Sequence, residues 1–377
     1  MRPENTPFGI LTTRRFGLYH SAEVGVRVLP VSRHLKLEFY IGRVLAATTL
    51  LFLALPSVQG QMPGGKFQNP LNPGPDPCLK YFNGNYYLTT TQSRVIRMWK
   101  SPTLGGLKTA RPVTLWTDDD PGRSRGIWAP DFDFISNHWY LYYTATSLDG
   151  NDANHRMHVL ESTGADPLGP YAYKGRLVNP TNDQYAIDGT VFQNPGTGLW
   201  YFLWAADPGH VLTLARLANP WTLLGNGVVI PASGFGCDEV REAPQVLPHG
   251  SRLFLIYSAC DTGKPDYRLG MLMAETNSDL MNPQSWKQYP VPVFERCDRN
   301  GVYGPGSNGF FHSPDGTEDW IVYHAKTTST YTYKGRTTRA QKFTWNADGT
   351  PNFGEPLPLS AILDEPATGP GKSLLTK

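Results

Sequence analysis

Residues 74–88 read Gly-Pro-Asp-Pro-Cys-Leu-Lys-Tyr-Phe-Asn-Gly-Asn-Tyr-Tyr-Leu. An Asn-Gly pair lies between two short runs of apolar and aromatic residues, which is a strong sequence signal for a β-hairpin. The first run follows an acidic residue, Asp76. The stretch therefore predicts two antiparallel strands with a carboxylate at their head.

The same pattern returns four more times along the chain. Asp188 stands at the head of one copy and Glu242 at the head of another. The remaining two copies begin at Trp128 and Gly304 and have no leading acid. A carboxylate that heads three copies of one hairpin indicates a function for these acids.

The spacing of the copies predicts the fold. Aligned at one position, the five copies start at Asp76, Ala129, Asp188, Ala243 and Ser307, which are 53, 59, 55 and 64 residues apart. This is about the length of a four-stranded blade. A blade cannot bury both faces alone, so the blades close into a ring whose first strands line a central channel. The sequence thus predicts an all-β, five-bladed β-propeller in which the three acids converge.

Composition limits the class of partner and the number of domains. The 377 residues carry a formal net charge of +2, and the repeats contain no run of Lys or Arg. Neither nucleic acid nor an acidic partner is therefore indicated. Aromatic residues make up 12% of the chain beside 38 Gly and 33 Pro, a mixture that favours many short strands. We interpret residues 61–366 as one propeller domain and 367–377 as a loose C-terminal tail.

Residues 1–60 are interpreted as a leader. An apolar block at 44–55 is too short to span a membrane comfortably, and small residues follow it up to Gly60. This pattern predicts a secretory signal with cleavage near Gly60, and hence a secreted, extracellular protein without a membrane segment. The long basic stretch before the block leaves open that residues 1–36 are a mis-assigned gene start, that they are a disordered leader, or that the block is an uncleaved anchor.

The four cysteines are Cys78, Cys237, Cys260 and Cys297. None forms a C-x-x-C pair, which argues against a zinc site. Three disulfide pairings are possible if the chain is exported. The bridge from Cys237 to Cys260 is favoured, because Cys237 precedes a strand whose hairpin partner ends at Cys260. Buried free thiols are the alternative.

Cleavage of a glycosidic bond requires one carboxylic acid that protonates the leaving oxygen and one carboxylate that activates water or attacks. Three acids in one channel supply both roles and leave a third that can tune the acid by charge and orientation. Aromatic rings supply the other half of a sugar site. Trp128, just before the channel position of the second copy, is the candidate platform.

The motifs, in their order along the chain, resemble glycoside hydrolase family 43. They are Asp-Pro at 76–77, Trp-Ala-Pro-Asp at 128–131, Ile-Asp-Gly-Thr-Val-Phe at 187–192, Arg-Glu-Ala-Pro-Gln-Val-Leu at 241–247 and Asp-Trp-Ile-Val-Tyr-His-Ala at 319–325. Gly-Pro-Gly at 304–306 and the segment 336–343 are most similar to the branch of exo-acting α-L-arabinofuranosidases. The resemblance covers roughly residues 67–358.

The resemblance implies an inverting enzyme in which Asp76 is the general base, Glu242 the general acid and Asp188 the residue that raises the pKa of the acid and orients it. Base and acid carboxyls about 6.5–9.5 Å apart would be expected. The implied function is release of terminal α-L-arabinofuranosyl units from arabinan or arabinoxylan of the plant cell wall. A β-xylosidase, an endo-arabinanase and, in a different class, a non-catalytic carbohydrate-binding propeller are the alternatives.

The remaining predictions concern a histidine, an arginine and two aspartates. His324 is expected to point into the channel, where the family implies a central ion or water cluster; a polar core histidine is the alternative. Arg339 is expected to reach a sugar hydroxyl or to form a structural ion pair. Asp131 and Asp133 are interpreted as turn or surface residues. No cofactor is required, no metal ligands are assigned, and the protein is expected to be a monomer.

Overall fold

The computed structural model describes residues 65–237 and 239–369. The leader, its apolar block at 44–55 and residues 370–377 of the tail lie outside the described residues. Within the described part, the chain forms five four-stranded antiparallel sheets and one two-stranded sheet. The helices in this part are single turns of 3-10 helix at Gly105–Lys108, Asp152–Asn154, Pro283–Ser285 and Asp298–Asn300. None of them is long and apolar enough to cross a membrane.

Each four-stranded sheet is one blade, and its strands follow chain order from the inner to the outer edge. Strand β1 (Lys66–Phe67) precedes the first blade and belongs to the two-stranded sheet. Blade I contains β2 (Cys78–Phe82), β3 (Asn85–Thr89), β4 (Val95–Ser101) and β5 (Val113–Thr117). Blade II contains β6 (Arg125–Ile135), β7 (His138–Thr146), β8 (Arg156–Ser162) and β9 (Tyr171–Arg176). Blade III contains β10 (Ala186–Gln193), β11 (Trp200–Ala206), β12 (Val211–Asn219) and β13 (Thr222–Val229).

Blade IV contains β14 (Arg241–His249), β15 (Arg252–Ala259), β16 (Arg268–Glu275) and β17 (Lys287–Gln288). Blade V contains β18 (Tyr303–His312), β19 (Asp319–Lys326), β20 (Thr337–Trp345) and β21 (Pro351–Asn352), and β22 (Leu363–Asp364) ends the domain. The five-bladed propeller is confirmed, with all five hairpins at the predicted places.

The hydrophobic core lies between the blades. Five clusters of buried side chains each join two neighbouring blades. One example is Phe202 of blade III, which packs on Tyr142 of blade II with 5.6 Å between ring centroids. Aromatic and β-branched side chains suit this geometry because they pack well on the pleated faces of strands. Burial between blades therefore ties each repeat to its neighbours.

The ring is closed by both ends of the domain. Ahead of blade I, Asn69 bonds both the N–H and the C=O of Ala340 in blade V, at 3.0 and 2.9 Å. After blade V, Glu365 accepts hydrogen bonds from the backbone N–H groups of Leu104 and Gly105 in blade I, at 2.7 and 2.9 Å. Strand β1 pairs with β22 beside them. The ends thus bridge blades V and I, which supply Asp76 and its partners His324 and Arg336 to the site described below.

The predicted disulfide is confirmed, since Cys237 and Cys260 are bonded. Cys78 and Cys297 are free and buried. The bridge joins the segment before blade IV to the loop that follows β15.

Candidate active site

The first strand of every blade turns at the same point. The five aligned residues, all with positive φ between 41° and 55°, are Asp76, Ala129, Asp188, Ala243 and Ser307. The pairing of the first strand with the second shifts register around this point in blades II to V. Such a bulge kinks the strand and redirects its side chains. A left-handed conformation at a residue with a Cβ is costly and is common at functional sites.

The bulges separate two spaces along the propeller axis. The narrow space, here called the axial channel, has a volume of about 30 Å³, room for roughly two water molecules. It is lined by the five bulge residues, by the residue after each of them, and by Cys78, Asp131 and Gln245. The second space, here called the active-site cavity, has a volume of about 510 Å³. Its walls contain Asp76, Thr91, Ser93, Trp128, Asp152, Tyr185, Ile187, Asp188, His210, Val240, Glu242, Asp261, Thr262, Tyr333 and Arg336.

The three predicted acids do converge on the active-site cavity. They do not all occupy one repeat position, in agreement with the alignment of the copies at Asp76, Asp188 and Ala243. Asp76 and Asp188 are bulge residues, whereas Glu242 stands one residue earlier, in the position of Trp128 and Ile187. Asp76 and Asp188 therefore border both spaces, and Glu242 borders only the cavity. The two kinds of position give the carboxylates different surroundings.

Asp76 is held by cationic and polar partners. Its Oδ1 lies 3.2 Å from Arg336 Nη1 and 3.1 Å from His324 Nδ1, and its Oδ2 accepts a hydrogen bond of 2.7 Å from the Thr91 hydroxyl. Burial by itself would raise the pKa of the Asp76 carboxyl, but the Arg336 charge and the His324 contact outweigh it and hold this pKa well below its ordinary value. Asp76 is therefore an ionised carboxylate over the range in which proteins function.

Asp188 has the opposite environment. Its Oδ2 accepts a hydrogen bond of 3.1 Å from the backbone N–H of Ala243, and its own N–H donates to the Thr144 hydroxyl at 3.3 Å. Burial and the negative charges of Glu242 and Asp76 raise the pKa of Asp188 well above its ordinary value.

The inward position of Asp188 depends on the glycine that follows it. An ideal Cβ on Gly189 would lie 2.3 Å from a ring carbon of Phe202 and 2.5 Å from the methyl group of Met157. A side chain at 189 would therefore push this strand away from the packed interface between blades II and III.

Glu242 is 9% exposed and is held by two rings. The Tyr267 hydroxyl donates a hydrogen bond of 2.9 Å to Glu242 Oε1, and His210 Nε2 lies 3.2 Å from Oε2, within ion-pair distance but without hydrogen-bond geometry. Tyr267 also stacks on His324, with ring centroids 5.5 Å apart and planes 4° from parallel. This stack connects the residue that holds Glu242 to a residue that holds Asp76.

An aromatic wall lines one side of the cavity. Trp128 stacks on His155 at a centroid distance of 4.0 Å. The ring of Tyr185 then meets His155 edge-on at 5.9 Å and His210 at 5.5 Å. The wall thus runs from Trp128 to the imidazole beside Glu242, and the role of Trp128 as a sugar platform stays a prediction.

Three of the predicted assignments need correction. Arg339 is fully buried; its guanidinium donates to the carbonyl of Ala325 at 3.3 Å, and it lies outside the cavity wall. Arg336, three residues earlier and just before β20, is the arginine of the site. His324 is fully buried and contacts Asp76 from outside the cavity wall, so it supports a catalytic candidate and does not face a ligand.

Asp131 is not a turn or surface residue. It is 7% exposed, and its carboxylate accepts hydrogen bonds from the Cys78 thiol at 3.0 Å and from Gln245 Nε2 at 2.8 Å. Asp133, which is half-buried, forms an ion pair with Lys80 at 3.3 Å. Cys78 and Lys80 lie one repeat length, 53 residues, before Asp131 and Asp133. Residues at equivalent positions of adjacent blades are in contact around the ring. The 53-residue spacing is therefore the sequence signal that could have predicted the contacts of Asp131 and Asp133.

A metal site is not found in residues 65–237 and 239–369, where no three His, Cys, Asp or Glu side chains come together in a suitable group. Both ring nitrogens of His324 contact protein atoms: Nδ1 lies 3.1 Å from Asp76 Oδ1, and Nε2 lies within hydrogen-bond distance of the Thr262 hydroxyl, at 3.2 Å.

The sequence profile of the family described as "Glycosyl hydrolases family 43" matches residues 67–351, which span the five blades and include the three carboxylates. The chain belongs to glycosyl hydrolase family 43. It is a glycoside hydrolase, and the resemblance inferred from the sequence motifs is confirmed.

Several relatives in this family are similar over most of the chain. An extracellular exo-α-(1→5)-L-arabinofuranosidase of Streptomyces avermitilis is 38% identical over 83% of this chain and 69% of the relative. A protein of the same description from Streptomyces chartreusis is 34% identical over 74% of this chain and 89% of the relative. The crystal structure of an α-L-arabinofuranosidase from Lactobacillus brevis is 34% identical, with a TM-score of 0.72 over 78% of this chain and 98% of that one.

Proposed function

We propose that this protein is a secreted, inverting glycosidase that releases terminal α-L-arabinofuranosyl units from arabinan or arabinoxylan. The single observation that carries the proposal is the contrast among three carboxylates on one cavity. Asp76 is stabilised in its ionised form, whereas burial and like charge favour the protonated form of Asp188, and Glu242 lies on the same cavity wall. The similarity to relatives described as arabinofuranosidases supports the choice of sugar.

Asp76 is assigned as the general base. A base must be deprotonated before the reaction, and the Arg336 guanidinium and the His324 ring keep Asp76 in that state. The same contacts fix the orientation of its carboxylate. Asp76 would accept a proton from the water that attacks the anomeric carbon.

Glu242 is assigned as the general acid, with Asp188 as its partner. Burial and the nearby charges of Glu242 and Asp76 raise the pKa of Asp188, so Asp188 is not suited to be the ionised base. Glu242 borders only the cavity, where the Tyr267 hydroxyl donates to its Oε1 and the His210 ring lies beside its Oε2. It would deliver the proton to the departing oxygen, and inversion would follow from attack by water on the opposite face.

Secretion is supported by the apolar block at 44–55 and by the Cys237–Cys260 disulfide, because disulfides persist in oxidising compartments. Action from chain ends is supported by the relatives described as exo-acting. A β-xylosidase or an endo-arabinanase would use the same three acids, so substrate tests must separate these alternatives.

A panel of aryl glycosides tests the sugar, and digestion of linear arabinan tests the mode of action. We expect kcat/KM for an aryl α-L-arabinofuranoside to exceed that for the β-D-xylopyranoside, and arabinose to be the main early product. Proton NMR of the first product formed should show the inverted anomer. Mainly oligosaccharide products would contradict exo action, and preference for the xyloside would contradict the sugar assignment.

A further inference from the structure

Blade I carries an unbalanced charge. Residues 77–117 contain six Lys and Arg residues and no Asp or Glu, although the whole chain contains 34 basic and 32 acidic residues. One of the six, Lys80, forms an ion pair with Asp133. The other five are exposed and are here called the basic patch; they are Arg94, Arg97, Lys100, Lys108 and Arg111. Within residues 65–237 and 239–369, none of these five forms an ion pair.

Strand pairing collects the basic patch on the outer half of the blade. Lys100 lies on β4, which pairs with the outermost strand, β5, in a register that places Met98 opposite Val113. Lys100, two residues after Met98, and Arg111, two residues before Val113, therefore lie towards the same end of the blade. Lys108 lies in the last turn of the 3-10 helix between these strands. The charges are spread over residues 94–111 without a run of Lys or Arg, which is why the sequence alone did not indicate an acidic partner.

Acidic residues that adjoin the basic patch have other partners. Glu365 of the closing segment accepts hydrogen bonds from two backbone N–H groups of blade I, at 2.7 and 2.9 Å. At the end of β5, Asp118 and Asp120 both pair with Arg123, and the exposed Asp119 marks the boundary of the patch. The charges of the patch are therefore not neutralised by these acids, and like charges held on one blade attract a polyanion.

The basic patch begins beside the active-site cavity. Ser93 lines the cavity, and Arg94 is the next residue along the chain. Strand β4, from Val95 to Ser101, then carries the patch over roughly 20 Å, at about 3.3 Å per residue. None of the five charged residues is among the described residues that line the cavity. A chain bound along blade I would therefore lie beside the cavity and leave it open to a short side branch.

An acidic polysaccharide is the polyanion that suits this face. Val113 is the large apolar side chain described as exposed between residues 93 and 117, so this face presents no exposed aromatic ring on which nucleic-acid bases could stack. Plant cell-wall polysaccharides that carry arabinosyl branches include polymers with uronate units. Their carboxylates give an extended chain repeated negative charges, which form charge-assisted hydrogen bonds with Lys and Arg.

We propose that the basic patch of blade I is a docking surface for a polyuronate chain, which holds the enzyme on an acidic polysaccharide while a neutral arabinosyl branch enters the cavity. The choice of this polyanion rests on the proposed function. Binding through exposed charges weakens as salt screens them and as fewer counterions gain freedom on release from the polyanion. The patch has no role in bond cleavage itself.

The test measures the Kd of the purified protein for polygalacturonate at about 50 and 200 mM salt. The patch variant carries Arg97→Gln, Lys100→Gln, Lys108→Gln and Arg111→Gln. A control variant removes the same charge from exposed positions outside blade I, with Arg176→Gln, Lys287→Gln, Arg299→Gln and Lys342→Gln. At the lower salt, the patch variant should bind about 10-fold more weakly than the wild type and the control variant less than about 2-fold more weakly. The difference should shrink at the higher salt.

Catalytic activity serves as the check on the fold. Both variants should keep the wild-type kcat/KM on an aryl α-L-arabinofuranoside, because none of the substituted residues is among the described residues that line the cavity. Equal loss of binding in the two variants would assign binding to net charge alone and overturn the docking surface. Tighter binding of the wild type to duplex DNA, or to phosphatidylcholine vesicles that contain phosphatidylglycerol, than to polygalacturonate would overturn the choice of a polyuronate.

The same measurements distinguish failure of the docking surface from failure of the proposed function. A wild-type protein that hydrolyses the arabinofuranoside but does not bind polygalacturonate would overturn the docking surface alone. A wild-type protein that binds polygalacturonate through the patch but hydrolyses no arabinofuranoside would uphold the docking surface and overturn the proposed function.

Discussion

The backbone N–H of Ala243 donates a hydrogen bond to Asp188 Oδ2 across 3.1 Å, joining blade III to blade IV beside Glu242. This bond fixes the Asp188 carboxylate near a second negative charge, and burial removes the water that would otherwise screen the two. The folded state therefore stores electrostatic strain at this point, and substitutions should reveal it as a change in stability.

The first prediction is that Asp188→Asn stabilises the protein at neutral pH. Because the pKa of Asp188 is raised in the folded state, the folded protein binds this proton more tightly than the unfolded chain. The stability of the wild type therefore falls as pH rises from about 4 towards the folded-state pKa. Asn carries no charge at any pH. The variant should melt roughly 2–4 °C higher at pH 7, with the difference shrinking towards pH 4, in thermal unfolding monitored by circular dichroism.

Asp76→Asn is the matched contrast, and its effect should have the opposite sign. The folded-state pKa of Asp76 is lowered, so its ionised form contributes stability above about pH 4 that is lost as pH falls towards the folded-state pKa. This variant should melt lower than the wild type at pH 7. Equal shifts of the same sign in both variants would contradict the different environments assigned to the two carboxylates.

A second prediction concerns the pH dependence of activity. Arg336 lowers the pKa of Asp76, so Arg336→Met should raise it. If Asp76 is the base, the acidic limb of the kcat/KM profile should then move upward, by about one pH unit. The profile is measured on an aryl α-L-arabinofuranoside. Arg299→Met, at an exposed ion pair with Glu355, is the control and should leave the limb in place. A lower rate with an unmoved limb would assign Arg336 to substrate binding alone.

A third prediction concerns Lys326, a fully buried residue of β19 whose ammonium group connects segment 261–264 to the loop between β19 and β20. Lys326→Met removes the ammonium group and leaves the carbonyls of Gly263, Lys264 and Thr332 without this donor. The Gly263 carbonyl keeps the hydrogen bond from the Thr332 N–H, but the carbonyls of Lys264 and Thr332 lose a donor, so the contact between segment 261–264 and the loop between β19 and β20 should open more often. Hydrogen exchange measured by mass spectrometry should accelerate in peptides covering 261–264 and 331–333. Lys342→Met, which breaks an exposed ion pair with Glu318, should not accelerate exchange there. Unchanged exchange in the Lys326 variant would contradict the claim that these hydrogen bonds stabilise the contact between segment 261–264 and the loop.

The fold could be predicted from the sequence because each blade carries its own hairpin signal. The site was only partly predictable. The heads of the repeats identified Asp76, Asp188 and Glu242, and the alignment placed Glu242 one residue before Ala243. It did not show that this offset keeps Glu242 out of the axial channel, because the bulge redirects the side chains. Arg339 was the arginine predicted to reach the sugar, yet its side chain, inside β20, is buried, and Arg336, just before β20, reaches the cavity.

The partners of the acids were harder to predict than the acids themselves. Arg336 lies 260 residues from Asp76, and the two meet only because the ring brings blade V against blade I. His210 lies just before β12 and Tyr267 just before β16, each ahead of the third strand of its blade. The sequence of a single repeat has no pattern there that distinguishes a residue in contact with Glu242 from an ordinary loop residue. Closure of the ring, which no single repeat encodes, decides these contacts.

The dependence of rate on the leaving group tests the assignment of acid and base most directly. The measurement is kcat/KM of Glu242→Ala and Asp76→Ala on arabino-oligosaccharides and on a dinitrophenyl α-L-arabinofuranoside, whose leaving group departs without protonation. We expect Glu242→Ala to lose most activity on oligosaccharides but to retain much of it on the activated substrate. Asp76→Ala should lose both activities, because water must be activated in either case. Equal inactivity of the two variants on the activated substrate would contradict the assignment of roles, and full activity of either on the oligosaccharides would contradict the catalytic account.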